Sequence, residues 1–292
     1  MHIERDVSLA QYTTIKIGGR AGFLCFPNTY SELVLAVKMA QDKGLPIFIL
    51  GRGSNTIFGN FEGFVISTKN FRDIKIYQED NKVLVEAGCG LPLSELVKVA
   101  LDLNLDGIYR LVGFPATVGG AVAMNAGAFG CEVSHYIKSV LVMDWEGRLH
   151  KIDIKDVSFS YRSSPFPEMG VVLKVEFEFF KANFDVKAEY NLIKEKRKLT
   201  QPINMPTSGS TFKNPPKAYA GELLEKVGMK GYKIGDVAFS QVHANFLVNL
   251  GNGKVGDVIK ILHEAKRRVY EEFGIELQEE VKVIESCSTH GR

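Results

Sequence analysis

The eighteen residues from Gly113 to Gly130 carry no charge and return repeatedly to glycine and alanine. A solvated loop is not built this way, because each ordered glycine gives up roughly 0.5–1 kcal/mol of chain entropy relative to alanine. Such a segment suits a backbone that must lie flat against a large ligand such as a dinucleotide; a close-packed, glycine-rich core turn is the other reading. Gly51, Gly53, Ser54 and Asn55 follow a short apolar run. They are able to present backbone N–H groups to a phosphate, or simply to make a tight turn. Gly18-Gly19 and Gly88-Cys89-Gly90 repeat the theme. A Rossmann fingerprint is not met, since the third glycine is missing and Asn55 to Gly59 has no helical pattern.

Two polar constellations stand apart from the glycines, one from Phe159 to Phe166 and one from Ser208 to Pro216. Each sets hydroxyls and a cation among aromatics in a turn context, and on spacing alone each is explained by turn formation.

The elements that must position these groups follow from periodicity. Leu33, Val34, Val37 and Ala40 predict a helix from Ser31 to Lys43, capped by Ser31 and stopped at Gly44. It hands over to Ile47–Leu50, a short apolar run of the kind buried on both faces of a sheet, so β-α-β logic opens the chain. Lys82–Ala87 alternates as a strand, and Leu93, Leu96, Val97, Ala100 and Leu101 mark a second amphipathic helix. Strands are predicted at Ser139–Met143, Leu149–Ile152 and Val171–Phe180. The charged, helix-compatible stretch Lys194–Lys198 follows a change of character, which places a boundary near residue 185. Beyond it come a short helix at Gly221–Val227 and a long one at Val255–Phe273. The long helix shows a stripe of Val255, Val258, Ile259, Leu262, Ala265, Val269 and Phe273 and is stopped by Gly274. A last strand, Val281–Ile284, is expected to pair back onto the body of the protein.

The 292 residues are 45% hydrophobic and 24% charged, an ordinary globular composition with room for about two domains. With 36 basic and 34 acidic residues there is no field to gather nucleic acid or an anionic membrane. The charged start Met1–Asp6 is no signal peptide, and no run reaches the roughly 20 apolar residues of a membrane helix, so a cytoplasmic protein is expected. Cys25, Cys89, Cys131 and Cys287 form no CxxC pair. They read as reduced, mostly buried thiols, with no metal site and no disulfide framework.

Taken in order, Tyr12-Thr13-Thr14 with Gly18-Gly19, Gly51–Asn55, Gly113–Gly130, Tyr161–Ser164, Gly209–Pro215 and Leu277–Val281 resemble the UDP-N-acetylenolpyruvoylglucosamine reductase (MurB) family over nearly the whole chain. The resemblance implies an α+β fold: a two-subdomain FAD-binding region of the PCMH, or vanillyl-alcohol-oxidase-like, kind, then a smaller α+β substrate-binding domain. On this sequence the first region spans residues 1–185, with subdomains of about 1–70 and 71–185, and the second spans 186–292. The run from Phe180 to Lys198 leaves little room for the extra tyrosine-bearing segment of longer members, so the chain looks like the shorter, type II form. Tyr190 is accordingly given no closing role.

What the family implies is a non-covalent FAD enzyme of peptidoglycan precursor synthesis, hence of cell wall biogenesis, cell shape and cell division. It takes a hydride from NADPH and reduces an enolpyruvyl sugar nucleotide, with no protein partner inferred. The positions matching catalytic residues are Arg162, Ser210 and Glu280. Hydride addition to an unsaturated carboxylate develops a second negative charge, which a permanently charged, planar guanidinium binds well. Ser210 matches a proton donor to the α-carbon. Glu280 assists only as a hydrogen-bond donor, which needs a proton retained through burial or a like-charged neighbour. Cofactor-binding positions are Gly18, Gly19, Gly51, Arg52, Gly53, Ser54, Asn55, Gly88, Gly113, Pro115, Ala116, Thr117, Gly119, Gly120, Asn125, Ala126 and Gly127; substrate contacts are Tyr161, Lys198, Asn214 and His243. Two rivals are an FAD oxidase or dehydrogenase of the same fold and a non-catalytic nucleotide-binding module. None of the six histidines lies in the glycine-rich loops where a covalent flavin link would be sought, and the module leaves Arg162, Ser210 and Glu280 unexplained.

Overall fold

A five-stranded antiparallel sheet forms the centre of the first of two units into which the chain divides. The computed structural model describes residues 1–285; Cys287 lies outside them. One unit holds Met1–Glu4, Leu24–Arg52 and Gly63–Glu195, the other Arg5–Phe23, Gly53–Glu62 and the residues from Lys196 on. Helix and strand are mixed throughout, as an α+β fold requires.

In the first unit the sheet runs in the order Leu149–Asp153, Ile137–Met143, Val171–Phe180, Lys82–Gly88, Ile74–Glu79. The long strand keeps register with its neighbour from Lys174↔Gly88 to Phe180↔Lys82. The period of two therefore puts Val175, Phe177 and Phe179 on the same side as Val83, Val85 and Ala87, and all six are buried. The helix Leu93–Asp102 adds Leu93, Leu96 and Ala100 to this core, and the short helix Val118–Ala123 adds Val118, Ala121 and Val122. Each fully buried Val, Leu or Phe stabilises the fold by roughly 1.5–3 kcal/mol.

Two local expectations are corrected here. The helix at Tyr30–Asp42 is capped by Thr29, whose side chain accepts from Glu32 N, and not by Ser31; Gly44 does take the left-handed conformation (φ 61°). The strand Ile47–Leu50 pairs in parallel with Phe61–Ser67, but only Leu50 is fully buried.

In the second unit the sheet order is Thr207–Ser210, Phe246–Asn249, Val237–Phe239, Lys233–Ile234. The helix Val255–Phe273 covers it with Val258, Ile261, Leu262, Ala265 and Val269, and stops at Gly274 (φ 66°). Ile261 replaces Ile259 in the predicted stripe, and Ile259 stays 41% exposed. The final strand, Lys282–Ile284, pairs in parallel with Thr56–Phe58.

Candidate functional site

The glycines fall into two groups with different causes. A Cβ on Gly88 would stand 2.4 Å from the Phe71 carbonyl oxygen, one on Gly119 would stand 2.8 Å from Cys89 Cβ, and one on Gly51 would stand 2.5 Å from Thr117 Oγ1. These glycines let protein segments close on one another. The same holds in the second unit. Gly18 lies against the backbone of Leu9 and Ala10, Gly19 against that of Gly59, and Gly53 (φ 64°) against the Tyr12 carbonyl. Backbone hydrogen bonds seal the approach, with Gly19 N donating to Phe58 O at 2.8 Å and Thr14 N to Gly53 O at 3.1 Å.

Gly120 and Gly113 answer to other causes. At Gly120 a Cβ would meet only Thr117 Oγ1, at 3.3 Å, so packing does not demand glycine there. Thr117 caps the helix Val118–Ala123 and accepts from Gly120 N at 3.3 Å. Gly113 has φ 79° and, like Pro115, is exposed; Ala116 is half-buried and its carbonyl accepts from Leu93 N. This uncharged, partly open backbone around Gly113–Gly120 fits a flat, uncharged ring system. Exposed Arg52 and half-buried Ser54 are the polar groups of the Gly51–Asn55 loop, and Asn55 is turned to another task, described below.

Asn125, Ala126 and Gly127 lead from that helix to Arg162. Asn125 is completely buried at φ 43° and its amide is engaged by protein, donating to Glu132 and to the Ser160 carbonyl. Ala126 N closes on the Ala121 carbonyl at 2.8 Å. Ser160 and Ser163 exchange both backbone hydrogen bonds at 3.1 Å around a two-residue turn made of Tyr161 and Arg162. Arg162 adopts φ 57°, a conformation that glycine and asparagine hold far more readily. Its guanidinium stacks on the exposed Tyr161 ring at 4.7 Å, and its Nη2 donates to the Gly127 carbonyl at 2.7 Å. Lys16 and Lys217 share this conformation (φ 60° and 64°), so what sets Arg162 apart is the bracing of its guanidinium on Gly127 and Tyr161.

The second unit brings Ser210, Asn55 and Glu280 together. Thr207 pairs with Val248 and Ser210 with Phe246, so one extra residue bulges at Ser208–Gly209, where Gly209 has φ 78°. Such a bulge re-aims the next side chain, here Ser210. Ser208 Oγ is buried without a hydrogen-bond partner among the described residues. Glu280 N and Val281 N both donate to Thr211 O, at 2.8 and 3.3 Å, and Lys213 N donates to Gln278 O at 2.8 Å. The segments bearing Ser210 and Glu280 are therefore adjacent. Asn55 Nδ2 donates to the Glu280 carbonyl at 3.0 Å, and Lys282 N to Asn55 O. Glu279 is paired with Lys266 at 2.6 Å, so its charge is balanced by that lysine beside half-buried Glu280.

Of the remaining positions, Asn214 and His243 meet at the start of one helix, where a Cβ on Gly221 would lie 3.0 Å from the His243 ring, and Lys198 lies on another helix. Asn214 Oδ1 accepts from Ala220 N at 3.0 Å and fixes the start of the helix Ala220–Lys226. His243 packs on Phe246, and its Nδ1 accepts from Asn245 N at 3.2 Å. Burial, then the charge of Lys230, holds its pKa below the ordinary 6.5. Lys198 is exposed near the end of the helix Val186–Thr200. Cys25, Cys89 and Cys131 are free and buried, and burial raises the first two thiols to about 12 and Cys131 to about 11. The roles of Thr117 as a cap and of the Ser208–Gly209 bulge carried no signal in spacing alone.

Comparison with known proteins matches residues 21–153 to a family model described as an FAD binding domain. Residues 201–284 match one described as the C-terminal domain of UDP-N-acetylenolpyruvoylglucosamine reductase. The UDP-N-acetylenolpyruvoylglucosamine reductase of Aquifex aeolicus is 49% identical over 287 residues, covering 98% of this chain and 97% of its own. That of Caldicellulosiruptor saccharolyticus is 36% identical over 294 residues, covering 98% and 93%. The crystal structure of the Thermus caldophilus reductase (MurB) superposes with a TM-score of 0.81 at 34% identity, over 97% of this chain and 99% of that one. The expected FAD-binding fold with a C-terminal reductase domain is therefore present, and the chain belongs to the UDP-N-acetylenolpyruvoylglucosamine reductase family.

Proposed function

We propose that this protein reduces the enolpyruvyl group of UDP-N-acetylenolpyruvoylglucosamine to UDP-N-acetylmuramate with NADPH, and that Arg162, Ser210 and Glu280 carry the chemistry. The observation that carries the assignment of roles is Arg162 held at φ 57° with its guanidinium braced on Gly127 and Tyr161. FAD, when bound, accepts the hydride of NADPH and supplies it to the β-carbon of the enolpyruvyl double bond. The open backbone of Gly113, Pro115, Ala116, Thr117, Gly119 and Gly120 would hold it, and Arg52 and Ser54 are the polar side chains proposed to bind it. Gly18, Gly19, Gly51, Gly53, Asn55, Gly88, Asn125, Ala126 and Gly127 complete the cofactor-binding positions that the family resemblance implies.

Arg162 binds the substrate carboxylate and gains strength as the second negative charge develops, which is where a fixed cation lowers a barrier. Ser210 gives its hydroxyl proton to the α-carbon and is reprotonated from water, which balances the hydride received at the β-carbon. Glu280 is the proposed hydrogen-bond donor to the enolate oxygen, a role that requires its carboxyl to carry a proton when the substrate is bound. Tyr161, Asn214, Lys198 and His243 make up the substrate-contacting set, His243 through Nε2. In functional terms residues 1–185 serve FAD and also supply Tyr161 and Arg162 to the substrate, and residues 186–292 form the substrate-binding region.

Among the described residues no helix is long and apolar enough to cross a membrane. A cytoplasmic site of action, supplying cell wall synthesis for cell shape and division, is part of the proposal. The test is the visible spectrum of the purified protein. NADPH should bleach a flavin band, and the enolpyruvyl sugar nucleotide should restore it; a protein that binds no FAD ends the reading.

A further inference from the structure

Asn125 is fully buried, polar and left-handed at once, a combination that apolar packing does not explain. Its Nδ2 donates to Glu132 Oε2 at 2.9 Å and to the Ser160 carbonyl at 3.1 Å, and its Oδ1 accepts from Ser134 N at 3.4 Å. A carboxamide supplies two donors and an acceptor in one plane, and here all three directions are used. The Ser160 carbonyl that it holds also accepts from Ser163 N and so closes the turn carrying Tyr161 and Arg162. On the far side of that turn Ser164 Oγ donates to the Ala123 carbonyl at 3.1 Å. The turn thus hangs from Ala123, Asn125 and Gly127, three alternate residues of the glycine-rich segment.

We infer that Asn125 is a positioning residue for Arg162: its amide fixes the Ser160–Ser163 turn and thereby the placement of the guanidinium. The inference rests on Arg162 being the cation that binds the reacting carboxylate, as proposed above. Arg162 stands in a conformation its own backbone disfavours, so the turn keeps that geometry only while its neighbours enforce it. Among the described residues, Asn125 reaches the turn's closing carbonyl by a buried side chain. Asparagine is also one of the few residues able to supply the amide from a left-handed position.

The test compares the two half-reactions of the full-length, FAD-loaded protein. Asn125→Gly keeps the left-handed backbone and removes only the amide. At full FAD occupancy the rate of flavin reduction by NADPH should stay within about twofold of the unaltered protein, while the limiting rate of reoxidation by the enolpyruvyl sugar nucleotide should fall roughly 10–100-fold, the loss expected of a catalytic group misplaced by about 1 Å. In an Arg162→Lys background the same change should cost little more, because both alterations act on one group. Equal slowing of both half-reactions, no slowing, or full additivity with Arg162→Lys would each overturn the inference. If Asn125→Gly does not fold, Asn125→Asp decides by the same comparisons, since it keeps the shape and loses the donors. Failure of the unaltered protein to be reoxidised by the sugar would instead sink the functional reading, and this inference with it.

Discussion

Arg162 Nη2 donates to the carbonyl of Gly127 at 2.7 Å, and a Cβ on Gly127 would lie 3.1 Å from the same guanidinium and 2.7 Å from the Cys131 carbonyl oxygen. The glycine is therefore a seat for the arginine. Gly127→Ala should destabilise the fold by about 1–3 kcal/mol, the cost of inserting a methyl group into a packed site. It should also displace Arg162, so that reoxidation by the enolpyruvyl sugar slows more than reduction by NADPH. Stopped-flow flavin absorbance on each half-reaction measures this, and equal effects on the two would contradict it.

The strain at Arg162 is separable from its charge. Alanine would keep the left-handed penalty of roughly 1–2 kcal/mol and glycine would relieve it, while both lose the guanidinium and its bond to Gly127. Arg162→Gly should therefore melt about 2 °C or more above Arg162→Ala, although both fail to reduce the enolpyruvyl sugar at a useful rate. Equal melting temperatures would mean that the φ of 57° is not strained.

Features that repeat along the chain could be read from it, and features made by distant partners could not. The helix Val255–Phe273 and its glycine stop follow from a 3.6-residue period, though the period alone misjudged which of Ile259 and Ile261 faces the core. The glycine-rich segment is conspicuous in composition. Its division into glycines that admit other protein segments, Gly119 against Cys89 and Gly127 against Cys131, and glycines such as Gly120 and Gly130 that do not is invisible there, because it depends on partners elsewhere in the chain. Asn125 shows the same limit. Its type and its place among the glycines suggested a cofactor contact, and its hydrogen bonds to residues 7 and 35 positions away had no local signal. The register shift that aims Ser210 depends on pairing with Phe246–Asn249, which no local pattern around Ser208 announces.

Ser210 and Glu280 lie on segments joined through Thr211, so their substitutions are expected to be distinguishable by chemistry and not by place. Ser210→Ala should leave reduction by NADPH intact and slow reoxidation by roughly 10²–10⁴, the contribution of a positioned acid. Glu280→Gln retains a hydrogen-bond donor and should keep more activity than Glu280→Ala. If Gln and Ala prove equally poor, Glu280 does not act by donating a hydrogen bond.

His243 makes stability depend on pH. Burial and the charge of Lys230 lower its pKa in the folded protein below the 6.5 of the free side chain. The unfolded chain then takes up the proton more readily than the folded one, and the stability difference is fully present above pH 6.5 and is lost as pH falls below it. The proton would also compete for Nδ1, which accepts from Asn245 N, and protonation there breaks that bond. The melting temperature should accordingly drop between pH 7 and pH 5.5. His243→Gln offers an amide oxygen to Asn245 and does not titrate, so the drop should be shallower in that variant when melting is followed by calorimetry. An unchanged slope would place the pH dependence on another group and leave His243 free to serve the substrate alone.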